Sequence, residues 1–164
     1  MEYVSYSSRR GRHLLHICFK VKYCHNIFDD KNIQKRCEEI FRQVEKQEHT
    51  FTLEEIGFDR DHVHFLVELS PTASESYFAK KLKGTSAKLL LREFSYLKKR
   101  CFWGSGLWNP GYLCDSVGDS TYEKTRDYVK KQGNPKRPDK TRSFFQLKRE
   151  GIENRWSVTS GPER

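Results

Sequence analysis

Two stretches of the chain alternate between apolar and polar side chains with the period of two that is typical of β-strands packed on one face. The first runs from His13 to Tyr23 and the second over residues 60–69. A further strand is predicted from Phe51 to Phe58, and its short connection to the next strand predicts a β-hairpin. Residues 112–117 are predicted as the fourth strand.

Apolar residues at helical spacing separate these strands. Asp29 and Asp30 can cap a first helix, which is predicted to fade near Gln47. The segment Thr72-Ala73-Ser74-Glu75 has the spacing of a capping box and is predicted to open a long helix that reaches about Phe94.

A last helix is predicted from a second capping box, Ser120-Thr121-Tyr122-Glu123, to Gln132, because Gly133 and Pro135 stop it. Tyr128 lies on this helix one turn before Gln132. The full order is strand, helix, strand, strand, helix, strand, helix. This is the α+β, ferredoxin-like β-α-β-β-α-β order, an antiparallel sheet with helices on one face, plus a C-terminal tyrosine-bearing helix.

The chain is predicted to hold one folded domain, residues 1–133, which is long enough to bury a core. Residues 134–164 are polar and basic without a sustained period and are predicted to form a loosely ordered tail. No signal peptide or membrane span of about 18 apolar residues is recognisable. The five cysteines include no Cys-x-x-Cys pair, so reduced thiols, a cytoplasmic location and no membrane partner are expected.

The positive charge of the chain changes the choice of partner. With 31 Lys and Arg against 22 Asp and Glu, the formal net charge of +9 favours a polyanion, and nucleic acid in particular. Much of the excess positive charge lies on the second predicted helix. Its basic side chains are equally consistent with a solvated surface and with a ridge that contacts phosphates. The candidate phosphate contacts are Lys80, Lys81, Lys83 and Lys88. Trp103 and Trp108 could stack on bases or pack in the core.

Two histidines, His62 and His64, share the polar face of the strand over residues 60–69. Side chains two residues apart on a strand lie roughly 6–7 Å apart, so both imidazoles can converge on one divalent ion. The alternative is a chance pair of half-exposed residues. Glu54 or Asp61 could add an oxygen ligand.

Four segments of the chain together resemble the HUH nucleases, in the single-tyrosine form found in transposases of the IS200/IS605 type. In family order they are residues 61–67 (Asp-His-Val-His-Phe-Leu-Val), 82–90 (Leu-Lys-Gly-Thr-Ser-Ala-Lys-Leu-Leu), 107–112 (Leu-Trp-Asn-Pro-Gly-Tyr) and 128–132 (Tyr-Val-Lys-Lys-Gln). The resemblance covers residues 12–133, and its specificity comes from four motifs in one register.

The resemblance implies a metal site at His62, His64 and Gln132, with Tyr128 as the nucleophile. Two neutral imidazoles and one amide oxygen would leave Mg²⁺ or Mn²⁺ with its full charge and with open positions for the scissile phosphate. A zinc site would instead favour sulfur ligands or more histidines.

The chemistry that the resemblance implies is reversible strand cleavage. Tyr128 would attack phosphorus to give a 5′-phosphotyrosine and a free 3′-hydroxyl. Free tyrosine titrates near pH 10, so the metal or Lys130 and Lys131 are expected to help it ionise. The implied substrate is single-stranded DNA with a hairpin, and the implied assembly is a homodimer with active sites shared in trans.

Two other functions remain open from the residues. The first keeps the chemistry and changes the role, as in a domesticated relative that nicks hairpin DNA, a replication initiator or a relaxase. The second is a ferredoxin-like RNA-binding module without catalysis. Such a module would place aromatic side chains on the open sheet face, where this chain has His16, His62 and His64 instead.

Overall fold

The computed structural model describes residues 11–101 and 106–133, with Arg100 described by its backbone alone. These residues belong to one compact unit that ends at Gly133. The predicted tail, residues 134–164, and Trp103 lie outside the described residues. Within the described ranges, no helix is long and apolar enough to cross a bilayer.

A four-stranded antiparallel sheet forms the centre of the fold, in the order β2-β3-β1-β4. Its strands are β1 (Leu14–Val21), β2 (Phe51–Phe58), β3 (His62–Leu69) and β4 (Trp108–Ser116). Helix α1 (Lys31–Glu48) connects β1 to β2, and α2 (Glu75–Glu93) follows β3. The predicted ferredoxin-like α+β fold is confirmed.

The main core lies between one face of the sheet and helices α1 and α2. Alternation along β1 and β3 places Phe19 and Phe65 on this face, with ring centroids 4.9 Å apart. Phe41 of α1 and Phe78 of α2 contact the Phe65 ring at 5.0 and 5.7 Å. All four rings are fully buried. The alternation along the two strands therefore determines which face of the sheet packs against the helices.

The helix ends differ in how well the sequence predicted them. Helix α1 begins as predicted, because the Asp30 carboxylate accepts the backbone N–H of Asn32 at 2.9 Å. The first predicted capping box was wrong, since the N-cap of α2 is Ser74, whose hydroxyl accepts the N–H of Tyr77. The long helix breaks at Phe94 and continues as α3, Ser95–Arg100.

Strand β4 begins four residues earlier than predicted, at Trp108 instead of Tyr112. It is an edge strand, and an edge strand tolerates Pro110 because one side of its backbone makes no ladder hydrogen bonds. Trp108 lies in the core beneath it, and its indole N–H donates to the Ser86 hydroxyl at 2.9 Å. Of the two roles considered for Trp108, core packing is the correct one.

The other face of the sheet is covered by α4 (Tyr122–Lys130), which packs on β2 and β3. Its Tyr122 and Val129 form a second, smaller apolar cluster with Leu14 and Leu66 of the sheet. The second predicted capping box was also wrong. A 3₁₀ turn precedes α4, and the Thr121 hydroxyl donates to Gly118 O instead of accepting a helix N–H.

Candidate active site

His62 and His64 lie side by side on β3, on the face that α4 covers. Each side chain is 1% exposed. The two histidines are therefore buried, whereas the alternative of a chance pair expected half-exposed residues. Their ring centroids are 4.9 Å apart. Burial of two imidazoles under a helix removes them from water and leaves their ring nitrogens dependent on the protein for partners.

Two glycines allow α4 to approach the sheet this closely. Gly57 pairs with His64 in the β2–β3 ladder, and a methyl group on its Cα would overlap the Val129 carbonyl. Gly133 has a φ of +78°, and a methyl group there would lie 2.9 Å from Phe58 O. The last turn of α4 therefore rests directly on the β2 backbone, beside the histidine pair.

His62 is held by the neighbouring carboxylate of Asp61. The His62 Nδ1 and Asp61 Oδ1 atoms are 2.7 Å apart, and Lys20 Nζ lies 3.5 Å from the other Asp61 oxygen. Burial raises the pKa of Asp61, but the hydrogen bond with His62 and the charge of Lys20 outweigh it and bring the pKa below its ordinary value. An ionised Asp61 accepts the Nδ1–H of His62, so a metal ion would bind this ring through Nε2.

Among the residues that the structure describes, none offers a hydrogen-bond partner to the buried Nε2 atom of His62. The nearest acid, Asp59, places an oxygen 3.7 Å away, which is beyond hydrogen-bond range. A buried polar atom without a partner is costly unless a ligand completes it. This atom is therefore the feature of the structure that best fits a metal ion.

His64 contacts a third histidine, His16 of β1. The His64 Nδ1 and His16 Nε2 atoms are 2.9 Å apart, and the Cys18 sulfur lies 4.0 Å from His64 Nε2. Burial, and then the neighbouring His62 and His16, lower the pKa of His64 well below its ordinary value. Burial also lowers the pKa of His16, against the opposing charge of Asp115. Both rings are therefore neutral at neutral pH.

Tyr128 projects from α4 onto these histidines. Its ring meets His64 and His16 edge-on, with centroids 5.5 and 5.7 Å apart. Gln132 lies just beyond the end of α4, not within it as predicted, and its side-chain Nε2 donates to Tyr128 O at 3.0 Å. The Gln132 side chain lies against Gly57, opposite His64 in the ladder. The structure thus brings Tyr128, His62, His64 and Gln132 to one place.

The donor set fits a hard divalent ion only with an amide as its third member. Within residues 11–101 and 106–133, no group of three or more His, Cys, Asp or Glu side chains has a geometry that could hold a metal ion. The amide nitrogen of Gln132 is bonded to Tyr128 O, so its oxygen is left to act as a ligand. His62 can bind a metal ion through Nε2. His64 can do so only if one of its ring nitrogens carries no proton and is not already used in a hydrogen bond.

The two carboxylates considered as extra ligands have other roles in this structure. Glu54 accepts hydrogen bonds from Arg12 at 2.9 Å and from the Tyr122 hydroxyl at 3.2 Å, which ties the start of α4 to the sheet. Asp61 is bonded to His62 and stands behind it. Neither carboxylate is placed as a direct ligand next to both histidines.

The four lysines predicted to contact phosphate lie on α2, which packs on the opposite face of the sheet from the histidines. Lys83 donates to the carbonyl oxygens of residues 109–111 at 2.8, 3.3 and 2.7 Å, and burial lowers its pKa to about 8. Lys81 pairs with Glu48 at 2.7 Å. Lys80 and Lys88 are exposed and remain the better placed for phosphate.

Lys130 and Lys131 face carboxylates near α4. Lys130 Nζ lies 3.5 Å from Glu55, and Lys131 Nζ lies 3.9 Å from Asp127. The expected help of these two lysines with the ionisation of Tyr128 stays a prediction.

His16 and Cys18 lie beside His64 and were not predicted from the sequence as site residues. Alternation along β1 places both on the same sheet face as the β3 histidines, so the face was predictable. Their contacts with His64 depend on the β1–β3 register, in which Cys18 pairs with His64. A single sequence does not specify this register.

The amino-acid sequence is similar to those of known transposases. The family model described as "Transposase IS200 like" matches residues 10–132. The chain is similar to the ISDra2 transposase TnpA of Deinococcus radiodurans, with 30% identity over 119 residues, 71% of this chain and 81% of that protein. It is also similar to the transposase for insertion sequence element IS200 of Salmonella typhimurium, with 40% identity over 72 residues, 44% of this chain and 46% of that protein.

Solved structures share the fold. A candidate transposase from Deinococcus radiodurans R1, determined at 1.90 Å, matches with a TM-score of 0.63 and 27% identity, over 79% of this chain and 98% of that one. A REP-associated tyrosine transposase bound to a REP hairpin matches with a TM-score of 0.53 and 12% identity, over 77% of this chain and 70% of that one. At that identity the second likeness concerns the fold alone.

Proposed function

The chain belongs to the IS200-like transposase family, and from that premise we propose that it cuts and rejoins single-stranded DNA at hairpin-marked element ends through a covalent bond to Tyr128. The observation that carries this proposal is the position of the Tyr128 ring, edge-on to His64 and above the buried histidine pair.

The proposed reaction exchanges one phosphate ester for another. The Tyr128 oxygen forms a bond to phosphorus, the bond from phosphorus to O3′ breaks, the phenol gives up its proton, and O3′ gains one. The product is a 5′-phosphotyrosine and a free 3′-hydroxyl. Because a phenoxide can leave again, attack by another 3′-hydroxyl reverses the step without an external energy source, which suits strand transfer.

The residues proposed to hold Mg²⁺ or Mn²⁺ are His62, His64 and Gln132. When bound, such an ion polarises the phosphate and stabilises charge that develops on its oxygens. The Asp61 carboxylate keeps the proton of His62 on Nδ1. Helix α4 covers both histidines and holds the Tyr128 ring against His64.

The proposed DNA partner is a hairpin with a single-stranded flank. The net charge of +9 favours a polyanion, and the REP-associated transposase that shares this fold is bound to a hairpin. A non-catalytic RNA-binding module is less well supported, because the face on which such a module would display aromatic residues carries histidines beneath α4.

A homodimer with sites shared in trans is also part of the proposal. In the single chain α4 packs on its own sheet. The same glycine-lined surface at Gly57 can receive the α4 of a second subunit, since Gly118 in the segment before α4 can accommodate a change in its direction.

The test of the function is adduct formation with a single-stranded hairpin oligonucleotide in Mn²⁺. Wild-type protein is expected to give a covalent protein–DNA species on a denaturing gel, and mass spectrometry should place the nucleotide on Tyr128. Tyr128→Phe should bind the hairpin and give no adduct. A nucleotide on Tyr122 or Tyr112 would overturn the assignment.

The metal site is tested with the same oligonucleotide. His62→Ala and His64→Ala are each expected to abolish cleavage and to retain hairpin binding, because binding rests mostly on Lys and Arg contacts with phosphate. Full cleavage by His64→Ala in EDTA would contradict the metal assignment.

A further inference from the structure

The rings of His16 and His64 are joined by one hydrogen bond, as the distance between their nitrogens and the angle between their planes show. The ring planes are inclined by 8° and the centroids are 5.1 Å apart. A face-to-face stack would keep all atoms of the two rings at least roughly 3.5 Å apart, but the His16 Nε2 and His64 Nδ1 atoms lie 2.9 Å apart. The rings are therefore nearly coplanar, and the two nitrogens share a proton between them.

Only one of the two nitrogens can carry that proton, because two N–H groups pointed at each other across 2.9 Å would repel and form no hydrogen bond. If His16 were the donor, the proton of His64 would have to lie on Nε2, and His64 would have no lone pair to offer outside this bond. If His64 is the donor, its Nε2 carries a lone pair. The Cys18 thiol, 4.0 Å from that Nε2, can then act as a weak donor to it.

We propose that His16 is a positioning residue that accepts the Nδ1–H of His64 and thereby holds His64 in the tautomer whose Nε2 can bind a metal ion. His16 then does for His64 what Asp61 does for His62. Each ring is fixed through Nδ1 by a neighbouring side chain, and each keeps the lone pair of its Nε2 for a metal ion.

This inference extends the proposed metal site, but it concerns a proton that is present in the metal-free protein. The two histidines use acceptors of different charge, a carboxylate for His62 and a neutral ring for His64. With the neutral His16 as acceptor, the site carries one negative charge fewer than it would with an aspartate in that place. The buried pair can therefore hold a divalent ion that keeps more of its charge for phosphate.

The first experiment measures the tautomer directly. Long-range ¹H–¹⁵N spectra of metal-free protein with ¹⁵N-labelled histidine, recorded at pH 7.5, are expected to show His64 with its proton on Nδ1. His16→Leu should shift His64 towards a mixture with the Nε2–H form, and His62 should stay unchanged as an internal reference. A wild-type His64 protonated on Nε2, or an unchanged tautomer in His16→Leu, would overturn the inference.

The second experiment measures Mn²⁺ affinity by calorimetry. His16→Leu is expected to weaken binding by about 10–100-fold. His16→Gln should restore it to within a few-fold, because the glutamine oxygen can reach the position of Nε2 and accept the same proton. His13→Leu, just before β1, is the control and should bind as wild type does.

The outcomes separate this role from others. Equal loss in His16→Leu and His16→Gln would contradict an acceptor role and indicate that His16 is itself a ligand or merely packs in the site. Thermal unfolding and near-ultraviolet circular dichroism of both variants identify a folding defect. If the wild type binds no Mn²⁺, the proposed metal site fails, while the spectra still decide whether His16 sets the tautomer.

Discussion

At the scale of single residues, the ammonium group of Lys83 shows how a basic side chain can serve the fold. Its three acceptors are the backbone carbonyls of residues 109–111, at the start of β4. The Nζ atom also lies 4.9 Å from the centroid of the Phe19 ring and 5.5 Å from that of Tyr112. Lys83 therefore joins α2 to the edge of the sheet.

We predict that two lysine substitutions on α2 affect different properties, one the stability of the fold and the other the salt dependence of hairpin binding. Lys83→Met should lower the free energy of unfolding by about 0.5–1.5 kcal/mol, because it removes the hydrogen bonds to three carbonyls, two of which belong to exposed residues that water can reach. It should leave the salt dependence of hairpin binding unchanged. Lys88→Met, at an exposed position, should change stability by less than about 0.5 kcal/mol and reduce the slope of log K against log salt by about 0.7.

Urea denaturation and fluorescence anisotropy with a labelled hairpin at several salt concentrations measure the two quantities. A reduced salt slope in Lys83→Met would mean that Lys83 contacts phosphate after all. An unchanged slope in Lys88→Met would remove Lys88 from the DNA interface.

The buried histidines predict a loss of stability in mild acid. The pKa of His64 lies well below its ordinary value of 6.5 in the folded protein, so below about pH 6.5 the unfolded chain binds a proton that the folded chain does not. The stabilisation is complete above that pH and is lost as the pH falls. The depressed pKa of Asp61 acts only below its ordinary value of 3.8 and does not contribute here.

In EDTA, the free energy of unfolding should therefore fall between pH 7.5 and pH 5.5, by at most about 1.4 kcal/mol per pH unit for each such histidine. His64→Asn should show a smaller decrease than wild type, measured by urea denaturation at both pH values. An equal decrease in the variant would assign the acid sensitivity to other groups.

At the scale of elements, the contact of α4 with β2 is what makes the site. Val129 and Tyr122 bury Leu66 and Leu14, Glu54 accepts from Tyr122 at one end of the helix, and Gly57 admits the backbone at the other. The burial of both histidines depends on this contact.

Two glycine substitutions test it. Gly57→Ala would place a methyl group against the Val129 carbonyl, so α4 must move. Because a misplacement of about 1 Å can cost roughly 100-fold in rate, adduct formation on Tyr128 should fall at least that far. Gly84→Ala is the matched control, since its methyl group would meet nothing within 4 Å, and it should stabilise α2 by up to about 1 kcal/mol.

Adduct yield against time gives the rate, and amide hydrogen exchange shows whether α4 opens while β1 and β3 stay protected. Wild-type activity in Gly57→Ala would mean that the docked position of α4 in the single chain is not the catalytic one.

At the scale of the whole molecule, α4 can complete the active site of its own chain or that of a second subunit. A mixed dimer of His64→Ala and Tyr128→Phe subunits, each inactive alone, is expected to cleave, because one of its shared sites combines intact histidines with an intact Tyr128. Two affinity tags purify the heterodimer, and light scattering gives its mass. Absence of cleavage by a verified heterodimer would assign α4 to its own chain.

The sequence by itself determined the sheet and one face of the site. Strict alternation in β1 and β3 put His16, His62 and His64 on the face opposite Phe19 and Phe65, because side chains on a strand alternate whatever the rest of the chain does. The four-motif resemblance named Tyr128 and Gln132, and the structure places both beside that face.

Only the tertiary structure decided which side chains are buried and which partners they have. The helix caps depend on which backbone groups lack partners, so Ser74 caps α2 although Thr72 fits the pattern. Whether Lys83 faces DNA or a strand edge, and whether His16 touches His64, depends on contacts across 26 and 48 residues of chain. Local periodicity carries no information about such distances, because they are set by strand register and by the packing of helices on the sheet.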